Sequence, residues 1–284
     1  TCDRAQAWTT DHCQDQATPR LVVKDLTLAR GNATGERTDG GGGGAIFARG
    51  GRLTVVNTRF TGNRCDPSGP DVGGAAIRAL SQFRNRPVRV VRSTFTGGRC
   101  ANGGALSSIG VSWTIDDSVF RDNRAIGRGA NPARSGTRGG GNGGAIYLDG
   151  NRFTLRLRGS RLERNTAREG GGAIFFVSND RTGTAVLAAS TLRRNRSAGF
   201  ETRGLPGIFF LGDIAFEVPS NLALHRFGAR IWIARILSSW WLAACALALV
   251  QSETRFYVLL FMLGSADAGL FPGEPPVPTP PPNP

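Results

Sequence analysis

Four acids in the middle of the chain, Asp116, Asp117, Asp122 and Asp149, are the residues whose type and spacing could carry acid–base or cation chemistry. Such chemistry needs carboxylates that converge on one proton or one ion. Asp116 and Asp117 are neighbours, so on a strand they point to opposite faces and cannot act as a pair. No acid recurs at an equivalent repeat position near another. His12 is the only histidine before residue 213, and it lies outside the repeated part. No catalytic residue, metal ligand or cofactor is therefore expected, and the sequence leans away from an enzyme.

What must position these side chains is a repeat. The 284 residues carry a net charge of +14, with 40 glycines and 20% charged residues. A 40% hydrophobic fraction excludes a wholly disordered chain. Glycine this frequent without a three-residue period excludes collagen and argues against a helical bundle. Residues 1–212 hold 31 Lys/Arg and 16 Asp/Glu, whereas 213–284 hold 4 and 5. Lys24 is the only lysine.

Five segments align, opening at Gly43, Gly73, Gly103, Gly143 and Gly171, each with Gly-Gly-Ala and an aliphatic residue close behind. Leu21–Asn32 reads as an earlier, less regular copy. In Thr154–Arg158 the leucines and arginines alternate, the period of a half-buried strand. A unit this short cannot bury its apolar face alone, so the copies must stack. The expected fold is all-β: a right-handed parallel β-helix with a C-terminal hydrophobic helical segment. Residues 1–20 are expected as an N-terminal cap and 21–212 as the β-helix. The segment 213–273 is expected to be hydrophobic and helical, and 274–284 a proline-rich tail.

Stacking turns equivalent residues into ladders about 4.8 Å apart. Phe60, Phe95, Phe120, Leu162 and Leu192 make an inward ladder. Asn63, Asn123, Asn165 and Asn195 make a turn ladder, interrupted at Gly98, in which stacked amides satisfy one another. The longest insertion, Ile126–Asn142, is expected as a loop on one side. Cys65 and Cys100 share a repeat position, close enough on adjacent rungs for a disulfide. Cys2 and Cys13 would form a second, local pair. Four cysteines allow other connectivities, and four free thiols in a cytosolic chain is the competing reading.

The basic excess has two readings. Outward arginines keep a solvated β-helix soluble and blunt edge pairing. Alternatively they form a stripe for an anionic polysaccharide or other envelope polymer. Aromatic residues do not interleave with the arginines in a stacking pattern, so a specific nucleic-acid partner is not expected.

GGAI followed by F-x-x-N, at Gly43–Ile46 with Phe60–Asn63, and its counterpart at Gly103–Leu106 with Phe120–Asn123, resembles the repeat pair of chlamydial-type polymorphic outer membrane proteins. It is similar also to the wider class of secreted right-handed β-helix proteins with a pectin-lyase-like fold. The resemblance covers Leu21–Gly212. It implies a secreted or cell-surface, adhesive or binding protein; its enzyme branch would imply a polysaccharide lyase or hydrolase. Leu162 and Leu192 replace the phenylalanine, and Gly98 the asparagine.

The second region has a different character. Ile236–Val250 is uncharged, and extended back to Ile231 it reaches 20 residues with only Arg235 inside. That length can span a bilayer. Phe256–Phe271 is a second apolar run, and Arg226, Arg230 and Arg235 cluster at the end the positive-inside rule assigns to the cytoplasm. A membrane partner is thus expected through 231–271; a buried hairpin in a soluble domain is the alternative. Phe216–Ile236 with Phe256–Gly273 resembles the second to fourth helices of major facilitator superfamily transporters, particularly the anion:cation symporter branch. His225, Arg226, Gly228 and Arg230 match the loop motif joining helices two and three. Leu260 stands where that family carries an intramembrane arginine, and Asp213 charges what should be helix two. A transporter needs both halves of its bundle around a midplane site, so this stretch alone implies only a fragment.

Gly207–Gly212 fits both a degenerate sixth repeat start and the first residues of a transporter helix. The sequence thus reads as a chimera. It opens at Thr1 without a signal peptide, as a mature or trimmed product would. The expected function is a non-catalytic secreted or surface β-helix, with a carbohydrate-active enzyme second and a partial transporter third.

Overall fold

Alternation of apolar and polar residues gives each short strand one side for a shared interior. In Thr154–Arg158 the two leucines are buried, while the arginines between and after them are exposed. The computed structural model of the protein describes residues 18–36, 41–129 and 135–211. The chain separates into two units, Thr1–Gly212 and Asp213–Pro284, and every described residue belongs to the first. Cys2, Cys13, His225, Arg226, Gly228 and Arg230 lie outside the described residues, as do the expected helical segment and proline-rich tail.

Among the described residues twenty-four strands form six coils of four. The first coil contains β1 (Arg20–Lys24), β2 (Thr27–Ala29), β3 (Asn32–Ala33) and β4 (Ile46–Arg49). The second contains β5 (Arg52–Val56), β6 (Arg59–Thr61), β7 (Arg64–Cys65) and β8 (Ile77–Ser81). β9 (Val88–Val91), β10 (Thr94–Thr96), β11 (Arg99–Cys100) and β12 (Leu106–Ile109) make the third. The fourth has β13 (Trp113–Asp116), β14 (Val119–Arg121), β15 (Arg124–Ala125) and β16 (Ile146–Gly150). The fifth has β17 (Thr154–Arg158), β18 (Arg161–Glu163), β19 (Thr166–Ala167) and β20 (Ile174–Ser178). β21 (Thr184–Ala188), β22 (Thr191–Arg193), β23 (Arg196–Ser197) and β24 (Ile208–Leu211) complete the sixth.

Each coil gives one strand to each of four six-stranded sheets, and every strand pairing within them is parallel. This is the connectivity of a β-helix, and the fold of the described residues is all-β. The Gly-Gly-Ala openings lead into the strands of the fourth sheet. Leu21–Asn32 supplies most of the first coil, and Gly207 leads directly into β24.

The interior is built in columns. Leu28, Phe60, Phe95, Phe120, Leu162 and Leu192 are in direct register along the second sheet. The rings of Phe60, Phe95 and Phe120 stack at 4.6 and 4.7 Å, nearly parallel. Such stacking adds about 0.5–1.5 kcal/mol per pair beyond burial. Cys65 and Cys100 are joined by a disulfide between the second and third coils, with Cα atoms 4.8 Å apart. Both cysteines are buried beside Val72, Ala75 and Ala101.

Two sequence expectations change in detail. Asp117 does not continue the strand from Asp116; it turns the corner with φ of 50°. The Ile126–Asn142 insertion is not a plain loop, because Arg128 and Gly139 close it with an antiparallel bridge. Gly129 N–H then donates to Glu169 Oε1 at 2.9 Å, tying the insertion to the coil above.

Candidate anion-binding corner

The turn between the second and third sheets is held by asparagine. Asn63 Oδ1 accepts from Gly31 N–H at 2.8 Å, and its Nδ2 donates to Leu28 O at 3.1 Å. Asn123 repeats this with Gly98 N–H and Phe95 O. Asn165 and Asn195 repeat it again, each accepting the backbone N–H and the side-chain Nδ2 of the asparagine one coil below. Each side chain thus satisfies the corner of the preceding coil, where buried unpaired amides would be costly. Gly98 lacks this side chain but donates to Asn123 and stays in line.

The residue after each corner position begins a third-sheet strand and points outward. Arg64, Arg99, Arg124, Thr166 and Arg196 are therefore in register, following Asn32 of the first coil. The four arginines are exposed. None forms an ion pair or a side-chain hydrogen bond among the described residues. Gly-Gly pairs make this column possible: a Cβ on Gly104 or Gly172 would strike the backbone of Arg124 or Arg196. At about 4.8 Å per rung, three consecutive guanidinium-bearing residues repel one another unless an anion lies along them.

Neighbouring arginines are already engaged. Glu163, its side chain 2% exposed, meets Arg193 at 2.9 Å, Arg161 at 3.3 Å and Arg121 at 3.6 Å. Burial pushes its carboxyl up, but the Arg193 hydrogen bond and the three positive charges outweigh this, so its pKa lies below the usual carboxylate value. Asp122 receives two hydrogen bonds from Arg164 at 2.8 Å, which lower its pKa and raise that of Arg164. Asp122 is thereby neutralised as a chemical group.

The other acids do not converge with it. Asp116 lies in register with Val91 and Arg158 on the first sheet. Asp149 accepts from the Tyr147 hydroxyl at 3.0 Å and from Asn179. Among the described residues no group of three His, Cys, Asp or Glu side chains could hold a metal ion.

A polar column that the sequence reading missed runs up the outer side of the fourth sheet. Phe47, Arg78, Ser107, Tyr147, Phe175 and Phe209 are in register, yet Arg78 and Ser107 are fully buried. Arg78 Nη1 donates to Ser107 Oγ at 3.2 Å. Burial lowers the Arg78 pKa to about 10, with Asp71 opposing the shift, and drives Tyr147 well above its ordinary value. Aligning the segments from their Gly-Gly-Ala openings puts Arg78 and Ser107 in a column whose other members, Phe47, Tyr147, Phe175 and Phe209, are aromatic, a signal available in the sequence. The four middle members of the column, Arg78 to Phe175, are buried and serve the fold, while Phe47 and Phe209 at its ends are half-buried.

Against this geometry stand the similarities to known proteins. A family model described as the Chlamydia polymorphic membrane protein repeat matches residues 117–149. A putative tartrate transporter of Agrobacterium vitis is 49% identical over 90 residues, covering 31% of this chain and 20% of that protein. A quinolone resistance transporter of Acinetobacter baumannii is 57% identical over 67 residues, 24% of this chain and 15% of the relative. Vitamin H transporter 1 of Schizosaccharomyces pombe is 42% identical over 105 residues, 36% and 18% of the two chains. No solved structure matches. The chain thus spans about a fifth of the length of the transporters it resembles, and a repeat of surface-protein type lies inside its β-helical unit.

Proposed function

We propose that residues 20–211 form a non-catalytic, cell-surface β-helix that binds an anionic polymer, a polyuronate or sulfated glycan, along its third sheet. Its winding is right-handed, as for parallel crossovers generally, and of the pectin-lyase-like kind. The observation that carries the reading is the exposed, ion-pair-free column of Arg64, Arg99 and Arg124. The neighbouring Arg121, Arg161, Arg164 and Arg193 find carboxylates, and the column does not. Three exposed arginines in direct register on successive coils suit an external polyanion lying along the axis. The surface-protein repeat supports the location, and the transporter-like similarity supports a membrane-associated segment joined to the β-helix in a chimeric chain. The relatives' transport activity needs the rest of their bundle.

The test is retention of the full chain on immobilised heparin and on polygalacturonate across a salt series. Replacing Arg64, Arg99 and Arg124 together by glutamine should lower the salt slope by about one unit per arginine. Replacing Arg20, Arg89 and Arg156 on the first sheet should change it less. Equal effects from both sets would reduce the site to general surface charge, and consumption of the polymer would make the protein an enzyme.

A further inference from the structure

The arginines around Glu163 are engaged but not neutralised. Arg121, Glu163 and Arg193 are in direct register on three successive coils of the second sheet. Arg161 precedes Glu163 by two residues on β18 and so lies on the same outer face. Three guanidinium groups thus approach one carboxylate from the rung below, the rung above and along the strand. Three positive charges against one negative leave a net +2 gathered around a single carboxylate. Asp122, next to Arg121 in the chain, is taken up by Arg164, which gives it two hydrogen bonds at 2.8 Å.

The cluster has an inner and an outer side. The Glu163 side chain is sunk against the sheet, 2% exposed, whereas those of Arg121, Arg161 and Arg193 are 41%, 56% and 56% exposed. Arg161 and Arg193 approach Glu163 Oε1 through Nε, at 3.3 and 2.9 Å. Contact through Nε leaves the Nη groups of both forks without a hydrogen bond among the described residues. Arg121 reaches Glu163 Oε2 only at 3.6 Å, through Nη2, and its Nε is buried with no hydrogen-bond partner. Thr191 is exposed, one rung above Arg161 and on the same strand as Arg193, which places a hydroxyl beside both.

We propose that Arg121, Arg161 and Arg193, gathered by Glu163, form a binding site for one tetrahedral oxyanion, a sulfate or phosphate group. The planar Glu163 carboxylate answers the inner side of the cluster with its two oxygens. On the outer side the donors come from three directions, an arrangement that matches three oxygens of a tetrahedral group better than the two of a second carboxylate. Guanidinium forks bind such oxygens bidentately and keep their charge at any working pH. Glu163 is a positioning residue: it does not meet the ligand but holds three like charges together against their mutual repulsion. The site stands on the second sheet and is independent of polymer binding along the third.

The experiment uses the full chain in detergent micelles and isothermal titration calorimetry in chloride buffer of fixed ionic strength. The titrants are inorganic sulfate, inorganic phosphate, a monosaccharide sulfate ester and acetate. The expected result is one saturable site for sulfate and phosphate, at least about tenfold tighter than for acetate. R161Q/R193Q should weaken sulfate at least about tenfold, while R64Q/R99Q/R124Q on the third sheet should leave it within about twofold. Glu163→Gln makes the protein more positive, so general attraction would tighten sulfate. Loss of the gathering carboxylate should instead weaken it about tenfold, and Glu163→Asp, which keeps the charge, should restore part of that loss. Circular dichroism checks that each variant keeps its β-sheet. An ester that binds more tightly than inorganic sulfate supports the site and assigns it to a sulfated glycan; equal binding supports it as a site for the free ion. Sulfate binding that is not saturable, that acetate equals, that R161Q/R193Q leaves unchanged or that Glu163→Gln tightens overturns the proposal.

Discussion

Asn123 donates through Nδ2 to Asn165 Oδ1 at 2.9 Å, and the same oxygen accepts the Asn123 backbone N–H at 3.0 Å. Asn165 Nδ2 also reaches down to Phe120 O at 3.0 Å. One side chain thus completes two donors and one acceptor of the coil below it. Asn165→Ala leaves these groups buried and unpaired, and each such group costs about 1–3 kcal/mol. The expected loss is at least about 3 kcal/mol, read from urea unfolding. Asn63→Ala, whose oxygen serves only Gly31 N–H in a half-exposed first-coil corner, should lose less.

The phenylalanine column makes a graded prediction. Phe95 is fully buried between Phe60 and Phe120, and Phe95→Ala should cost about 3–5 kcal/mol through lost burial and the cavity left behind. Phe95→Leu should cost well under that, because Leu162 and Leu192 already occupy the same column. Equal losses from the two variants, measured by denaturant midpoint at constant m-value, would count against column packing as the source.

These two features were legible because F-x-x-N is a local spacing: in the second and fourth coils the phenylalanine is the central residue of its strand and the asparagine three residues on turns the next corner. The charge contacts were not. Glu163 meets Arg121 and Arg193 only because strands distant in sequence are in register, and insertions of unequal length hide that register. The first-sheet corner was also obscured. Asn57, Arg92, Asp117, Gly159 and Ala189 share it with left-handed φ, although only one of the five is glycine. The N–H groups of Asn57, Arg92, Asp117 and Gly159 each donate to the next coil, and those bonds offset the roughly 1–2 kcal/mol cost of φ above zero for a side-chain-bearing residue. The arginine column was visible only as excess charge, since its members follow asparagine at some corners and glycine at another.

The Cys65–Cys100 bridge closes a loop of 35 residues. In the chain-entropy account a loop of that size contributes about 3–4 kcal/mol. The double variant Cys65→Ala/Cys100→Ala should lose about that much while keeping its β-sheet circular dichroism. In the wild type neither cysteine should be alkylated until reductant is added. Ready alkylation of Cys65 without reductant would remove the bridge from the account.

Glu163 separates stability from binding. Its folded pKa lies below its unfolded value near 4.3, so its contribution is fully present above that value and is lost as pH falls through the folded pKa. Glu163→Gln should therefore destabilise the protein at pH 7, and the gap from wild type should close as urea midpoints are followed down from about pH 4. Because the carboxyl is 2% exposed, added salt should screen this difference little. Asp122→Asn is the control: the Asp122–Arg164 pair is 41% and 44% exposed, so its removal should cost no more than about 1 kcal/mol and respond to salt. Binding should move in the opposite direction. Glu163→Gln removes a negative charge from the arginine-rich side and releases Arg121, Arg161 and Arg193 from their shared partner, so polyanion retention at pH 7 should increase as stability falls. A variant that lost both together would make Glu163 part of the binding surface itself, and the arginines around it, rather than the third-sheet column, would then be the groups that meet the polymer.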